Sequence, residues 1–423
     1  MGGWFDDRGA KMRQAVPFPL EAWPAPQFLS TIRHYRRRAW RWGRVLAEYR
    51  PGIVRPRAGQ RRVLVVRLDA IGDFVLWSGA AKVLRTWLGP DTHVTLAASA
   101  SWADLARDAD IADEVWPVRR ERMEGDSSYR DELRARIAGG RFAMVINPRH
   151  TREMLFGDSL VRWTRAPERI GSLGEGHLLP PRERWWADGW YTRLTVASSA
   201  PLHETERHAE FMRALGVPVT QVPAPSLRVY HRPLEGLDDL ENGYFVVFPG
   251  ASLAEKRWPP QRFAAVARHV QDRTGWRPVL LGDHMDAPLT RAVAAEVPGA
   301  IDLAGDTSVP VLASVIQSAR LVLSNDTSAV HLAAATGVPA VAVVGGWQWN
   351  RFLPYPDVLG EVAARVQVVS MEQDMACFNC DWRCVQPHVV GEALPCVIRV
   401  PLERVIGAVD RVLSQVAVAE LNG

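Results

Sequence analysis

No cysteine occurs in the first 376 of the 423 residues, and the four present all fall between Cys377 and Cys396. That scarcity excludes a disulfide-stapled secreted scaffold. Lysine is nearly as rare: of 51 basic residues only Lys11, Lys82 and Lys256 are lysine, so a lysine here is informative where an arginine is not. None follows a glycine, which removes the Walker P-loop, and the chain has neither a GxGxxG after a strand nor an HExxH. Met1 to Lys11 carries four charges and no apolar core, so no secretory signal is expected and the chain is assigned to the cytoplasm. The uncharged run Thr327 to Asn350 contains His331, Gly337, Pro339, Gly345 and Gly346, and reads as a buried helix followed by a buried strand instead of a membrane span.

With 23% charged and 47% hydrophobic residues, the chain is a globular one long enough for two domains. Its net charge of +4 is lopsided. Residues Thr31 to Arg62 hold eleven arginines against the single acid Glu48, which makes an appendage basic and the remainder mildly acidic. Within it Phe28, Ile32, Tyr35, Ala39, Trp42, Leu46 and Tyr49 recur at spacings of four and three, one stripe of an amphipathic helix, with Arg33, Arg36, Arg37, Arg41 and Arg44 mostly off the stripe. Three partners fit: an anionic membrane surface, the protein's own body and, weakest, nucleic acid.

From Arg62 the pattern alternates strand and helix. Val63–Val66, Val94–Ala97 and Ala143–Ile146 are buried-strand runs with helices Phe74–Leu88 and Tyr129–Ala138 between them. Pro218 to Pro225, with three prolines, reads as a linker, after which the rhythm restarts at Tyr244–Phe248 and continues through Ala340–Val344. The expected fold is α/β, two doubly wound Rossmann-like domains facing a cleft, with a basic helical extension at 1–60. The first domain is 61–217, the linker 218–243, the second domain 244–400 with the cysteine cluster, and a C-terminal helix 401–423. Ligands belong at the carboxyl ends of the strands.

Three strand-to-helix turns carry polar clusters there. Arg67-Leu68-Asp69-Ala70-Ile71-Gly72-Asp73 ends on an aspartate that is either an N-cap or a catalytic carboxylate. Phe248 to Pro259 offers Gly250 and Ser252 in a loop with free N–H groups and then Lys256, a combination suited to phosphate or simply a surface loop. Ser324-Asn325-Asp326-Thr327-Ser328 leads into a helix whose first turn is an anion site, with His331 either a ligand or a core histidine.

Arg67 to Asp73, Pro249 to Pro259, Asn325-Asp326-Thr327 with His331-Leu332-Ala333-Ala334-Ala335 and Gly337-Val338-Pro339 together resemble, in order and spacing, glycosyltransferase family nine, the ADP-heptose heptosyltransferases. His203-Glu204 with Arg207, and Leu303 to Ser308, support the resemblance over Arg62 to Val405. It implies a GT-B fold and an inverting transfer of a heptose-like sugar from an ADP-sugar to a lipopolysaccharide-type surface glycan, peripheral to the inner face of the cytoplasmic membrane. The acceptor would sit on the N-terminal half and the nucleotide sugar on the C-terminal half. Asp73 matches the general base and Lys256 the diphosphate-binding lysine. Gly250, Ser252, Asp283, Thr307, Asp326, Thr327, Ser328 and His331 match the nucleotide-sugar site, with no cofactor required for catalysis. Ser328 departs from the usual glycine, and Gly345 to Arg351 departs from the usual Gly-Pro-Thr. Protein O-heptosylation, and from another class a catalytically silent GT-B scaffold, are the alternatives. The cysteines, Cys377-x2-Cys380-x3-Cys384-x11-Cys396, can close a structural zinc or iron site or lie on a helix as reduced core thiols.

Overall fold

A computed structural model describes residues 52–422, apart from 175–178, 180, 235 and 238–239, together with Gly43 and Glu48. Contacts divide the chain into residues 1–51 and 52–423, and the second unit is the one with a describable fold. The basic helix expected over Gln27 to Arg50 lies outside the described residues.

Residues 52–423 form two six-stranded parallel sheets. The first contains β1 (Arg61–Arg67), β2 (Thr92–Ser99), β3 (Glu114–Val118), β4 (Met144–Asn147), β5 (Glu168–Ser172) and β6 (Arg193–Thr195), in the order β3-β2-β1-β4-β5-β6. The second contains β7 (Tyr244–Phe248), β8 (Arg277–Leu280), β9 (Ile301–Asp302), β10 (Val322–Asn325), β11 (Ala340–Val343) and β12 (Val366–Val369), in the order β12-β11-β10-β7-β8-β9. Read from the opposite edge, that is the same winding. Each half reverses direction between its first and fourth strands, at β1/β4 and at β7/β10, where a doubly wound sheet leaves a crevice. Val63–Val66, Phe245–Val247 and Leu321–Leu323 are almost wholly buried, as strands covered by helices on both faces must be. Among the described residues no helix is long and apolar enough to cross a membrane.

The halves share a core. Val63, Phe74 and Trp77 belong to one apolar cluster with Tyr244, Val246, Ala329, Val330 and Ala333. Its centre is the contact between helices Ile71–Leu88 and Ser328–Thr336, each of which follows the first or fourth strand of its sheet. Glycine permits the approach. A Cβ on Gly72 would stand 3.1 Å from the His331 ring, and one on Gly79 only 2.0 Å from the Ala224 carbonyl oxygen.

The expected linker is irregular but does not hang free. Ser226 N–H donates to Ser78 Oγ at 2.9 Å, Lys82 Nζ donates to Ser226 Oγ at 3.0 Å, and Leu227 N–H donates to the Ala335 carbonyl at 3.2 Å. Leu227 and Val229 bury in the shared core while Val219, Val222 and Ala224 pack against it. Proline sets the extended backbone, and the apolar residues between the prolines glue it across the helix pair. One of the three lysines, Lys82, is thus accounted for.

Gly79→Ala is expected to lose about 1–3 kcal/mol through forced overpacking against Ala224. Gly407→Ala, in the C-terminal helix Leu402–Asn422 with only Arg411 Nη1 near its missing Cβ at 3.8 Å, should instead gain about 0.5–1 kcal/mol from helix propensity. Urea unfolding of both variants checks the pair, and equal stabilities would remove Gly79 from the joint.

Candidate functional site

The N-terminal wall is built where β1 ends. The loop after Arg67 is pinned from two sides: Arg120 Nη1 donates to the Leu68 carbonyl at 2.8 Å, and Trp102 Nε1 donates to the Asp69 carbonyl at 2.8 Å. Helix Ile71–Leu88 starts after Ala70, which supplies no side-chain cap. Asp73 lies inside the first turn and not at the cap position, so its carboxyl group is not spent on capping. Beneath it Arg67 Nε meets Asp69 at 2.9 Å, and Arg149, just past the end of β4, approaches the same carboxylate at 3.5 Å. Burial first, then the negative charges of Asp69 and Glu204, push the Asp73 carboxyl up to about 7 against the pull of Arg67 and Arg149. A carboxylic acid poised there exchanges a proton near neutral pH.

The C-terminal wall is built at β7 and β10. Fully buried Asn325 ties the two strand ends together: its side-chain NH2 donates to the Pro249 carbonyl at 2.8 Å, and its Oδ1 accepts from Trp258 N–H at 3.0 Å. The loop between Pro249 and Trp258 is held at both ends and places Lys256 on its last short turn, Ala254–Lys256. Lys256 Nζ donates to Asp326 Oδ2 at 2.8 Å and lies 5.1 Å from the Trp347 ring and 5.7 Å from the Trp382 ring. Thr327 caps helix Ser328–Thr336, its Oγ1 accepting from Ala329 N–H at 3.2 Å. The remaining N–H groups of that first turn have no partner within the helix and face the cleft.

Between the walls lies an open cavity of about 450 Å³. Asp73, Ser252, Lys256, Asp283, Thr307, Asp326, Thr327, Ser328 and His331, drawn from five separate stretches of sequence, all line it. Gly250 does not. It stands behind the wall, where a Cβ would fall 2.1 Å from Cγ of Asp286. His331 is buried, and its Nδ1 shares a hydrogen bond of 2.7 Å with Tyr355 Oη. Burial, reinforced by His203 and Lys256 against the opposing charge of Asp326, lowers it to about 4, so the ring is neutral at physiological pH.

Asp286 escaped sequence reasoning, and so did the pairing of Glu204 with Arg351. Asp286 lines the cavity, beneath both Gly250 and Gly282, with Arg257 at 3.5 Å. Glycines closing two adjacent strands, β7 and β8, are the signal that a side chain crosses behind them. Glu204 and Arg351 form a bridge of 2.8 Å between the halves, reinforced by Glu204 N–H donating to the Arg351 carbonyl at 2.8 Å. Although burial pushes the Glu204 carboxyl up, Arg351 draws it down to about 2. Nothing in the local sequence pairs residues 147 positions apart.

The cysteines lie beside this site. Cys377, Cys380 and Cys384 are half-buried in a loop without helix, where Asn379, Asp381 and Trp382 all have positive φ, so the reading of core thiols along a helix does not hold for them. Cys396 is buried on the short helix Pro395–Ile398 and accepts from Gly346 N–H at 3.4 Å. Burial first raises both Cys380 and Cys396, with the thiols of Cys384 and Cys377 adding to the rise of Cys380 and those of Cys380 and Cys384 to that of Cys396. Among the described residues no group of three or more His, Cys, Asp or Glu side chains is placed as a ready metal cage. The loop does lay Trp382 on Trp347, with ring centroids 5.1 Å apart and planes within 14°.

Comparison with solved structures gives the same architecture. A glycosyl transferase family 9 protein from Veillonella parvula superposes with a TM-score of 0.65 at 21% identity, covering 84% of this chain and 98% of that one. The E. coli heptosyltransferase WaaC with ADP superposes with a TM-score of 0.56 at 20% identity, covering 84% and 98%. Among curated proteins, the lipooligosaccharide heptosyltransferase 2 of Haemophilus influenzae is 29% identical over 103 residues, 23% of this chain, and the match spans only 30% of that relative's length. The model for glycosyltransferase family 9 (heptosyltransferase) matches residues 160–380, more than half of the chain and most of the cleft's C-terminal wall. On that match, carried by the fold beneath it, the chain belongs to glycosyltransferase family 9.

Proposed function

We propose that the protein is an inverting glycosyltransferase that moves a heptose-type sugar from an ADP-sugar to a lipopolysaccharide-type glycan. The observation that carries this reading is the pairing across one cleft of a carboxyl group poised near neutrality, Asp73, with a lysine held at a helix N-terminus, Lys256. ADP bound to the E. coli relative supports the donor class.

In this reading the donor's diphosphate sits against Ser252, Lys256 and the first-turn amides of helix Ser328–Thr336. Asp73 accepts the proton of an acceptor hydroxyl as its oxygen forms a bond to the anomeric carbon. The bond from that carbon to the diphosphate oxygen breaks, ADP leaves, and a single displacement inverts the centre. Lys256 and the helix amides offset the charge that builds on ADP. Asp326, which holds Lys256 in the free protein, is suited to a sugar hydroxyl once phosphate takes over the cation. No step calls for a metal. The basic segment before residue 60 would keep the enzyme beside a lipid-linked acceptor.

Asp73→Asn should reduce transfer by about 100-fold or more while ADP affinity stays nearly constant, since the base acts on the acceptor. The wild-type rate should rise about tenfold per pH unit below 7 and level off above it, because only the deprotonated carboxylate accepts a proton. Stability runs the other way. A carboxyl whose folded value is raised above 3.8 destabilises the fold as pH climbs from 3.8 through 7, so Asp73→Asn should be the more stable protein at pH 8. A flat pH–rate profile with an active asparagine variant sinks the assignment.

Lys256→Ala should weaken ADP binding and slow transfer together, and Lys256→Arg should restore only part of either. The ammonium fits as a point charge between Asp326 and two indoles, a space where a planar guanidinium must displace a neighbour. Calorimetric titration with ADP checks this, and undiminished binding by the alanine variant refutes it.

The four thiols are proposed to hold one zinc or iron ion as a structural staple that fixes the loop carrying Trp382. Elemental analysis of protein purified without chelator should find one equivalent per chain, with cobalt or cadmium substitution giving a thiolate charge-transfer band. Four titratable thiols and no metal refute the staple.

A further inference from the structure

A second cavity, of about 260 Å³, opens beside the first. The two share a partition: Lys256, on the wall of the first, stands 5.1 Å from the ring of Trp347, on the wall of the second. The N-terminal half contributes His150, Leu202, Glu204 and Arg207. The C-terminal half contributes Trp347 to Arg351, the stretch that departs from the family's Gly-Pro-Thr, together with Asn379 and Asp381 of the cysteine loop.

We propose that this cavity is an acceptor subsite that takes one uncharged sugar ring of a glycan, stacked on Trp349 and hydrogen-bonded by Gln348, Asn350, Asn379 and Asp381.

Trp349 is half-buried and packs nearly perpendicular to Phe378, centroids 5.2 Å apart at 83°, so the ring is fixed while part of it remains open to the cavity. A fixed aromatic surface offers large contact with the C–H face of a pyranose at little cost in side-chain entropy. Among the polar side chains around it are the amides of Gln348, Asn350 and Asn379, which both donate and accept, as sugar hydroxyls require. Asn350, Asn379 and Asp381 are all held at positive φ, at 66°, 65° and 46°, a concentration of disfavoured backbone at one wall that marks imposed side-chain placement. The charges cancel: Glu204 and Asp381 oppose Arg207 and Arg351, and Glu204 is already bridged to Arg351. A phosphorylated or carboxylated sugar finds no surplus cation there, which selects a neutral ring. The position also fits an acceptor, because Glu204 lies close enough to Asp73 for its charge to be felt there.

The inference rests on the transferase reading for its word acceptor, but binding at the subsite is measured separately. Saturation-transfer NMR on the full chain would use methyl α-mannopyranoside and methyl β-glucopyranoside as neutral probes and methyl β-glucuronide as the charged one, each with and without saturating ADP. A neutral glycoside should receive saturation that ADP leaves unchanged, with the glucuronide weaker and both Trp349→Ala and Gln348→Ala reducing the signal about fivefold. The ADP affinity of each variant certifies its fold, and Gln348→Ala carries the test alone if Trp349→Ala fails to bind ADP. Displacement by ADP, equal binding of the glucuronide, absence of any neutral signal, or a wild-type signal in a folded variant each overturns the subsite. A chain that binds the neutral glycoside but not ADP would keep the subsite and sink the ADP-sugar reading.

Discussion

Everything functional here depends on two helices meeting at positions that carry no side chain. Gly79 lets helix Ile71–Leu88 lie against the Pro223–Ala224 backbone at a distance no other residue tolerates, and Gly72 keeps it close to His331 and Ser328. Because each helix leaves its sheet at a topological switch point, pressing them together also presses the two crevices into one cleft. Asp73 and the Ser328–Thr336 amides are neighbours for that reason alone. A bulkier residue at position 72 would press on the His331 ring, where the first turns of the two helices meet.

The division of labour between the halves follows from what each strand end can support. At β1/β4 the charges are dense and compensated: burial, then Asp69 and Glu204, raise the proton affinity of Asp73, while Arg67 and Arg149, ion-paired with Asp69 beneath it, hold that rise in check. At β7/β10 the wall combines hydroxyls with paired charges, Lys256 with Asp326 and Arg257 with Asp286. The neutral His331, paired with Tyr355, adds polarity between them without adding charge. Between two buried charged clusters a neutral intervening group avoids a further desolvation cost.

The parts of this arrangement visible in the sequence were those with local signatures. Continuous apolar runs marked β1, β2, β4, β7, β8, β10 and β11, and strand-to-helix turns marked Asp73, Lys256 and Thr327. Five strands left no such trace. β3 contains Pro117, β5 and β6 carry arginines on exposed edges, β9 has two residues, and β12 alternates too briefly to separate from a loop. The helical reading of the cysteine segment failed because i, i+3 and i+7 spacing also suits a knuckle of tight turns, and positive φ at Asn379, Asp381 and Trp382 is invisible in composition. Likewise neither Glu204 nor Arg351 signals its partner locally. Their meaning lies in a contact between halves that only the folded chain makes.

The shared core also sets an order of events during synthesis. Helix Ile71–Leu88 leaves the ribosome early, yet the helix that covers part of its apolar face, Ser328–Thr336, is made some 250 residues later. At about 5–20 residues per second, the nascent N-terminal half carries an uncovered apolar strip for about 12–50 seconds. Its sheet can close in that interval, but its joint cannot. The growing chain therefore keeps that strip open to other apolar surfaces throughout that window.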